Sequence, residues 1–150
     1  MGLKEDRTNV LNVGLWTKGK NQGEAIEIAK KHPEVDFHFV GNQAINFAEY
    51  WKPLMENLPE NVKVWGERDD VGLFMEACDV FMFNSTFECN PLVLKEAIGY
   101  QMPIYAHNLP QYCGMYDNYI FPVEDFGKEI EEHYFVSDEK EKFTKESKQF

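Results

Sequence analysis

Glu88 and Glu96, eight positions apart, flank the stretch of this chain best suited to chemistry, Phe87-Glu88-Cys89-Asn90-Pro91-Leu92-Val93-Leu94-Lys95-Glu96-Ala97. Asn90 is a good helix N-cap, and Pro91 suits the first helical position because its missing N–H would be unpaired there anyway. A helix opening here turns its free N–H groups and the positive end of its dipole towards the preceding loop, which makes an anion site, most naturally for phosphate. At about 1.5 Å per residue, Glu96 sits roughly 9 Å down the axis from Asn90. A carboxylate is a poor phosphate ligand but a good acceptor for paired hydroxyls. The spacing therefore suits a ligand with a diphosphate in its middle and a polyol at each end, the shape of a nucleotide sugar.

Such a site needs elements to hold it. The apolar run Asp79-Val80-Phe81-Met82-Phe83 reads as a fully buried strand, broken by Asn84-Ser85-Thr86 before the helix. Upstream, Asn9 to Leu15 is a first strand, ending in the loop Trp16-Thr17-Lys18-Gly19-Lys20. Asn21 with Glu24 three residues on resembles a capping box, and Ala25, Ile28 and Ala29 give the following helix its buried stripe. His32-Pro33 stops that helix. Asp36 to Gly41 is a second strand, and Ile45 to Asn57 a second helix with Phe47, Tyr50 or Trp51, and Leu54 inward. Pro53 within it predicts a kink or a split. Asn61 to Gly66 is a third strand, and Asp69 or Asp70 caps a short helix from Val71 to Cys78. Pro103 to His107 and Tyr119 to Val123 complete the strands.

Strands alternating with helices of about ten residues predict a Rossmann-like, doubly wound α/β domain of about six parallel strands. In such sheets the ligand lies at the carboxyl ends of the strands. The loops at 15–21, 41–43, 66–69, 84–91 and 107–111 would then share one rim.

The glutamate pair, set between a buried strand and a Leu-rich helix and followed by Gly99-Tyr100-Gln101-Met102-Pro103, resembles the glutamate–seven residues–glutamate signature of retaining glycosyltransferases of the GT-B fold, in particular family 4 (glycosyl transferases group 1). The resemblance covers roughly 10–123 and is to the C-terminal, donor-binding half of those enzymes. It implies that Glu88 holds the donor sugar, that Glu96 holds the ribose, and that Asn90, Leu92 and Val93 meet the diphosphate with backbone groups. Gly14 and Lys20 match the family's first-strand loop, with Lys20 on the diphosphate. Leu15 stands where the family has an arginine, and Lys18 is the candidate substitute, though without arginine's forked geometry. Gly66 and Glu67 match the place of the base pocket, while Trp65 itself reads as core. Cys89-Asn90-Pro91 replaces a Gly-Phe-Gly-like turn, and Pro110-Gln111 replaces a pair of glycines. Glu88 and Lys20 are the expected catalytic pair, acting without metal or cofactor on a nucleotide-diphosphate sugar. Asp69-Asp70 reads as helix caps rather than a metal-binding pair. The implied enzyme is complete only with a second Rossmann-like domain or subunit bearing the acceptor site. The alternative is a nucleotide-sugar-binding module with no transferase activity of its own.

Bulk properties narrow the field. The 150 residues make one domain: a polar, frayed start at 1–8, the nucleotide-sugar-binding domain at 9–125, and a charged C-terminal helix or tail at 126–150. A net charge of -11 argues against nucleic-acid and anionic-membrane surfaces, which need basic patches. The sequence has no apolar run long enough to span a bilayer and no signal peptide. Cys78, Cys89 and Cys113 have no paired or metal-binding spacing, which fits a reducing cytoplasm. No Gly-x-Gly-x-x-Gly follows the first strand, so a redox Rossmann protein is discounted.

Overall fold

A computed structural model of the chain describes residues 3–88, 92–110 and 119–127. The expected alternation is present. Strand β1 (Thr8–Val13) leads to helix α1 (Gln22–Lys31), β2 (Val35–Val40), a 3₁₀ turn (Ile45–Phe47) running into α2 (Ala48–Met55), β3 (Val62–Gly66), α3 (Val71–Ala77), β4 (Val80–Phe83), α4 (Leu92–Gly99), β5 (Ile104–Ala106) and β6 (Ile120–Pro122). The six strands form one parallel sheet in the order β3-β2-β1-β4-β5-β6. The order reverses direction between β1 and β4, and it is there that a doubly wound sheet opens its ligand crevice.

A sheet covered on both faces has no alternation to display, which explains the unbroken apolar runs: all six residues of β2 and all four of β4 are buried. One face carries Leu11, Phe81, Phe83 and Ile104 against α3 and α4 (Phe74, Met75, Leu94, Ala97). The other carries Val10, Phe37, Phe39 and Met82 against α1 (Ala25, Ile26, Ala29). Each such large side chain contributes about 1.5–3 kcal/mol by leaving water. On α1 the fully buried stripe is Gln22, Ala25, Ile26 and Ala29, with Ile28 only half-buried. That helix stops as expected at His32-Pro33. Asn61 Nδ2 then lies 2.8–3.0 Å from the carbonyls of Ala29, His32 and Val35, satisfying groups that the helix end leaves open.

Four local expectations are corrected. Asn21 sits at the N-cap position in a left-handed conformation (φ 58°) and makes no side-chain cap bond, so Asn21 and Glu24 form no capping box. The 45–57 segment does divide, but at Phe47/Ala48 rather than at Pro53, which stands inside α2. Phe47, expected inward, is 37% exposed because it belongs to the 3₁₀ turn. Asp70 holds the N-cap position of α3 by its backbone, accepting from Leu73 N, while its carboxylate pairs with Arg68 instead of capping.

Candidate functional site

Three glycines end the first three strands and leave a floor without side chains. Gly14 N donates to Val40 O (3.0 Å), and Gly41 N donates to Gly66 O (2.8 Å), so the strand ends are laced to one another. A Cβ on Gly41 would lie 1.8 Å from Gly14 O, closer than any two such atoms can come. Gly66 turns the chain with φ 75°, a region open to glycine at no steric cost. Where backbone lies bare in this way, a ligand can approach it closely.

The loop from Leu15 to Asn21 is bound down over this floor. Trp16 is completely buried against Phe39, with ring centroids 5.3 Å apart, and its backbone N–H donates to Asn42 O. Gln22 Nε2 donates to Leu15 O (3.0 Å). The turn closes with Lys20 N and Asn21 N both donating to Thr17 O. Its far side is stitched to the loop after β4, where Thr86 N donates to Gly19 O (2.9 Å).

Lys20 emerges from that turn with its stem beside Gly14 and its ammonium 5.5 Å from the Phe83 ring centroid. It forms an ion pair with Glu88, which also accepts from Ser85 Oγ at 3.0 Å. The Glu88 side chain is only 12% exposed, so the cation and the two acceptor oxygens are partly screened from water. The fold thus joins two residues 68 positions apart that were expected to act on one ligand.

The other expected residues are less concentrated. Lys18 is exposed on the same loop. Gly66 ends β3, and Glu67 is exposed just beyond it beside a cavity of about 520 Å³ lined by Glu67, Arg68 and Asp69. Arg68 grips Asp70 with two nitrogens (2.9 and 2.7 Å) and lies over the rings of Trp65 and Phe74. That grip holds the partly exposed Asp70 carboxyl below its ordinary range. Trp65 is half-buried and packs on Phe74, in keeping with a core role. On α4, Leu92 is exposed, Val93 packs partly against the core, and Glu96 is exposed four residues in. Asn90 lies outside the described residues, as do Pro91 and Gln111. Among the described residues no three His, Cys, Asp or Glu side chains gather as a metal site.

Sequence reasoning missed a polar cluster beside Lys20 and Glu88. Glu24 Oε1 accepts from Asn84 Nδ2 (2.8 Å) and pairs with His107 Nε2 (2.7 Å). Asn84 Oδ1 in turn accepts from Asn12 Nδ2 (3.1 Å). The available signal was the polar Asn12 between Leu11 and Val13 and the polar Asn84 directly after the apolar β4.

Comparison with known proteins agrees with this fold. The family model for glycosyl transferases group 1 matches residues 1–144. The chain is 25% identical over 118 residues to an alpha-galactosylglucosyldiacylglycerol synthase from Streptococcus pneumoniae, covering 75% of this chain and 32% of that protein. Its fold is similar to WaaG, a glycosyltransferase involved in lipopolysaccharide biosynthesis (TM-score 0.73, 20% identity, 99% of this chain and 43% of that one). It is similar also to HepE of Anabaena, whose structure is in complex with UDP-glucose (TM-score 0.77, 20% identity, 96% of this chain and 44% of that one). The chain spans about a third of the curated relative and less than half of these solved neighbours. With the family matched along nearly its whole length and a sheet that matches one Rossmann-like half of a GT-B fold, the chain belongs to the glycosyl transferases group 1 family.

Proposed function

We propose that this domain binds the nucleotide-diphosphate sugar of a retaining glycosyltransferase, as the donor-binding, C-terminal half of its GT-B fold. The observation that carries the reading is the convergence of Lys20 and Glu88 beside the glycine floor at the sheet's switch point. The complex of HepE with UDP-glucose supports the ligand class. Lys20 and the start of α4 would stabilise the departing diphosphate, since donors fixed in advance cost no reorganisation as charge develops. Glu88 would take the sugar hydroxyls, and Glu96 the ribose. The diphosphate gives Lys20 a second anion, which frees Glu88 oxygens for the sugar. No metal is required in this scheme, because lysine and helix dipole together face the charge.

Transfer needs an acceptor held in line, and such positioning is worth about 7–11 kcal/mol of a barrier. We assign it to a second Rossmann-like domain or subunit, and place the protein in the cytoplasm, on the unpaired spacing of its three cysteines. Three thiols labelled without prior reduction are expected in the freshly lysed cell. The deciding experiment titrates the 150-residue chain with UDP, GDP and UDP-glucose, with and without EDTA. Saturating nucleotide sugar at a hundred times its dissociation constant should add ~2.7 kcal/mol of stability, unaffected by EDTA. The same chain, given labelled donors and acceptors, should show slow hydrolysis at most. No stabilisation by any nucleoside diphosphate at millimolar concentration overturns the reading. Multiple-turnover transfer by the monomeric chain overturns the placing of the acceptor site.

A further inference from the structure

The start of α1 grips the loop after β4 twice. Lys20 holds Glu88, and four residues later Glu24 holds Asn84, which lies four residues before Glu88. The second grip is the less exposed at its far end: Asn84 is 1% exposed, and both ends of its amide are engaged, Oδ1 by Asn12 and Nδ2 by Glu24. Next to it Ser85, also 1% exposed, donates to Glu88. On the same Glu24 oxygen His107 arrives from the end of β5. One carboxylate thus ties α1 to the ends of β4 and β5.

The Glu24–His107 contact taken alone is a surface pair, each side chain about a third exposed, and pairs of that kind contribute little. What gives Glu24 weight is the buried amide that would lose its acceptor without it, since an unsatisfied buried donor costs far more than a made bond returns. We infer that Glu24 is a positioning residue: through Asn84 it fixes residues 84–88 after β4, and so the Glu88 carboxylate, independently of Lys20. The consequence for the proposed donor reading, on which the ligand half of this inference rests, is that Glu88 keeps its place when a diphosphate draws Lys20 away.

Amide hydrogen exchange on the 150-residue chain tests the inference without any ligand. The Thr86 N–H, bonded to Gly19 O, reports on the loop, and the Phe81 N–H, bonded to Pro103 O within the sheet, reports on the whole domain. In Glu24→Ala, Thr86 should exchange about tenfold faster while Phe81 changes by less than about twofold, the signature of local rather than global opening. Glu24→Gln keeps an acceptor oxygen and should restore the wild-type rate at Thr86. Equal acceleration at both amides, no acceleration at Thr86, or failure of Glu24→Gln to restore it overturns the inference. Calorimetry with UDP and UDP-glucose adds the ligand half. Glu24→Ala should leave UDP affinity within about twofold and reduce the gain from the glucose moiety by about tenfold. Wild-type chain that binds neither compound refutes the donor reading, while the exchange rates still decide the role of Glu24. Intact glucose discrimination in Glu24→Ala refutes positioning of Glu88.

Discussion

His38 gives the domain a stability that acid removes. It lies in β2, 3% exposed, between two partners. Trp65 Nε1 can only donate, so His38 Nδ1, 3.1 Å away, must accept; the ring proton is then on Nε2, donating to Asn9 Oδ1 at 2.9 Å. The Asn9 amide is itself oriented by its Nδ2, which donates to Lys4 O and Arg7 O. A second ring proton would set N–H against N–H. Burial is the main cause that lowers the His38 pKa from 6.5 to about 4, with Asp36 opposing and Lys63 assisting. Between those values the unfolded chain carries a proton that the folded chain refuses. Stability from this residue is therefore complete above pH 6.5 and falls as the pH drops towards 4. At about 1.4 kcal/mol per pH unit of separation, roughly 2 kcal/mol is lost between pH 7.5 and 5. For a domain of this size that is about 4–8 °C in melting temperature. Urea unfolding followed by circular dichroism across that range, compared with His38→Gln, isolates the effect of His38 from that of the rest of the chain. Glutamine can donate to Asn9 and accept from Trp65, but does not titrate. A variant whose stability declines between pH 7.5 and 5 as steeply as the wild type would refute the reasoning.

Two further perturbations address the site. Glu96→Ala should weaken nucleoside diphosphate and nucleotide sugar alike, whereas Glu88→Ala should weaken only the sugar-bearing form. Each loss should be tenfold or more, on the order of 1.5–3 kcal/mol for a charge-assisted hydrogen bond, and equal losses by calorimetry on both ligands in both variants would end the assignment. Gly41→Ala should cost about 3 kcal/mol, because its Cβ meets the Gly14 carbonyl and both strand ends must part. A melting temperature within about 2 °C of wild type would show that the strand ends are not pressed together.

The fold was legible because its strands are continuous apolar runs, and an unbroken run such as Val80–Phe83 has little choice but to be buried on both faces. Of the candidate site, local patterns pointed to Lys20 after Gly14 and to Glu88, which the fold brings together, while Glu96 stays exposed on α4. The site was illegible where partners come from distant strands. Asn21 and Glu24 have the spacing of a capping box, but Glu24 turns to Asn84 and His107, 60 and 83 positions away. No window of sequence contains that competition. The same holds for His38, whose tautomer is set by Asn9 and Trp65, and for Gly41, whose necessity is a carbonyl on another strand. Pro53 misled for a different reason: a proline in α2 is tolerated, and the change of helix type fell earlier, at Phe47.

The two outermost strands bear on how this domain meets its neighbours. Among the described residues the sheet ends at β3 and β6. Strand β6 is three residues long and finishes in exposed Pro122, which has no N–H to offer an incoming strand. Strand β3 carries exposed Lys63, whose ammonium is turned back onto Glu60 O. Both edges are poor templates for strand addition, one for want of a donor and the other through a solvated charge. Recruitment of another protein by continuing the sheet is thereby discouraged, and assembly is steered towards loops and helix faces. The same blunting opposes edge-to-edge self-association of the chain.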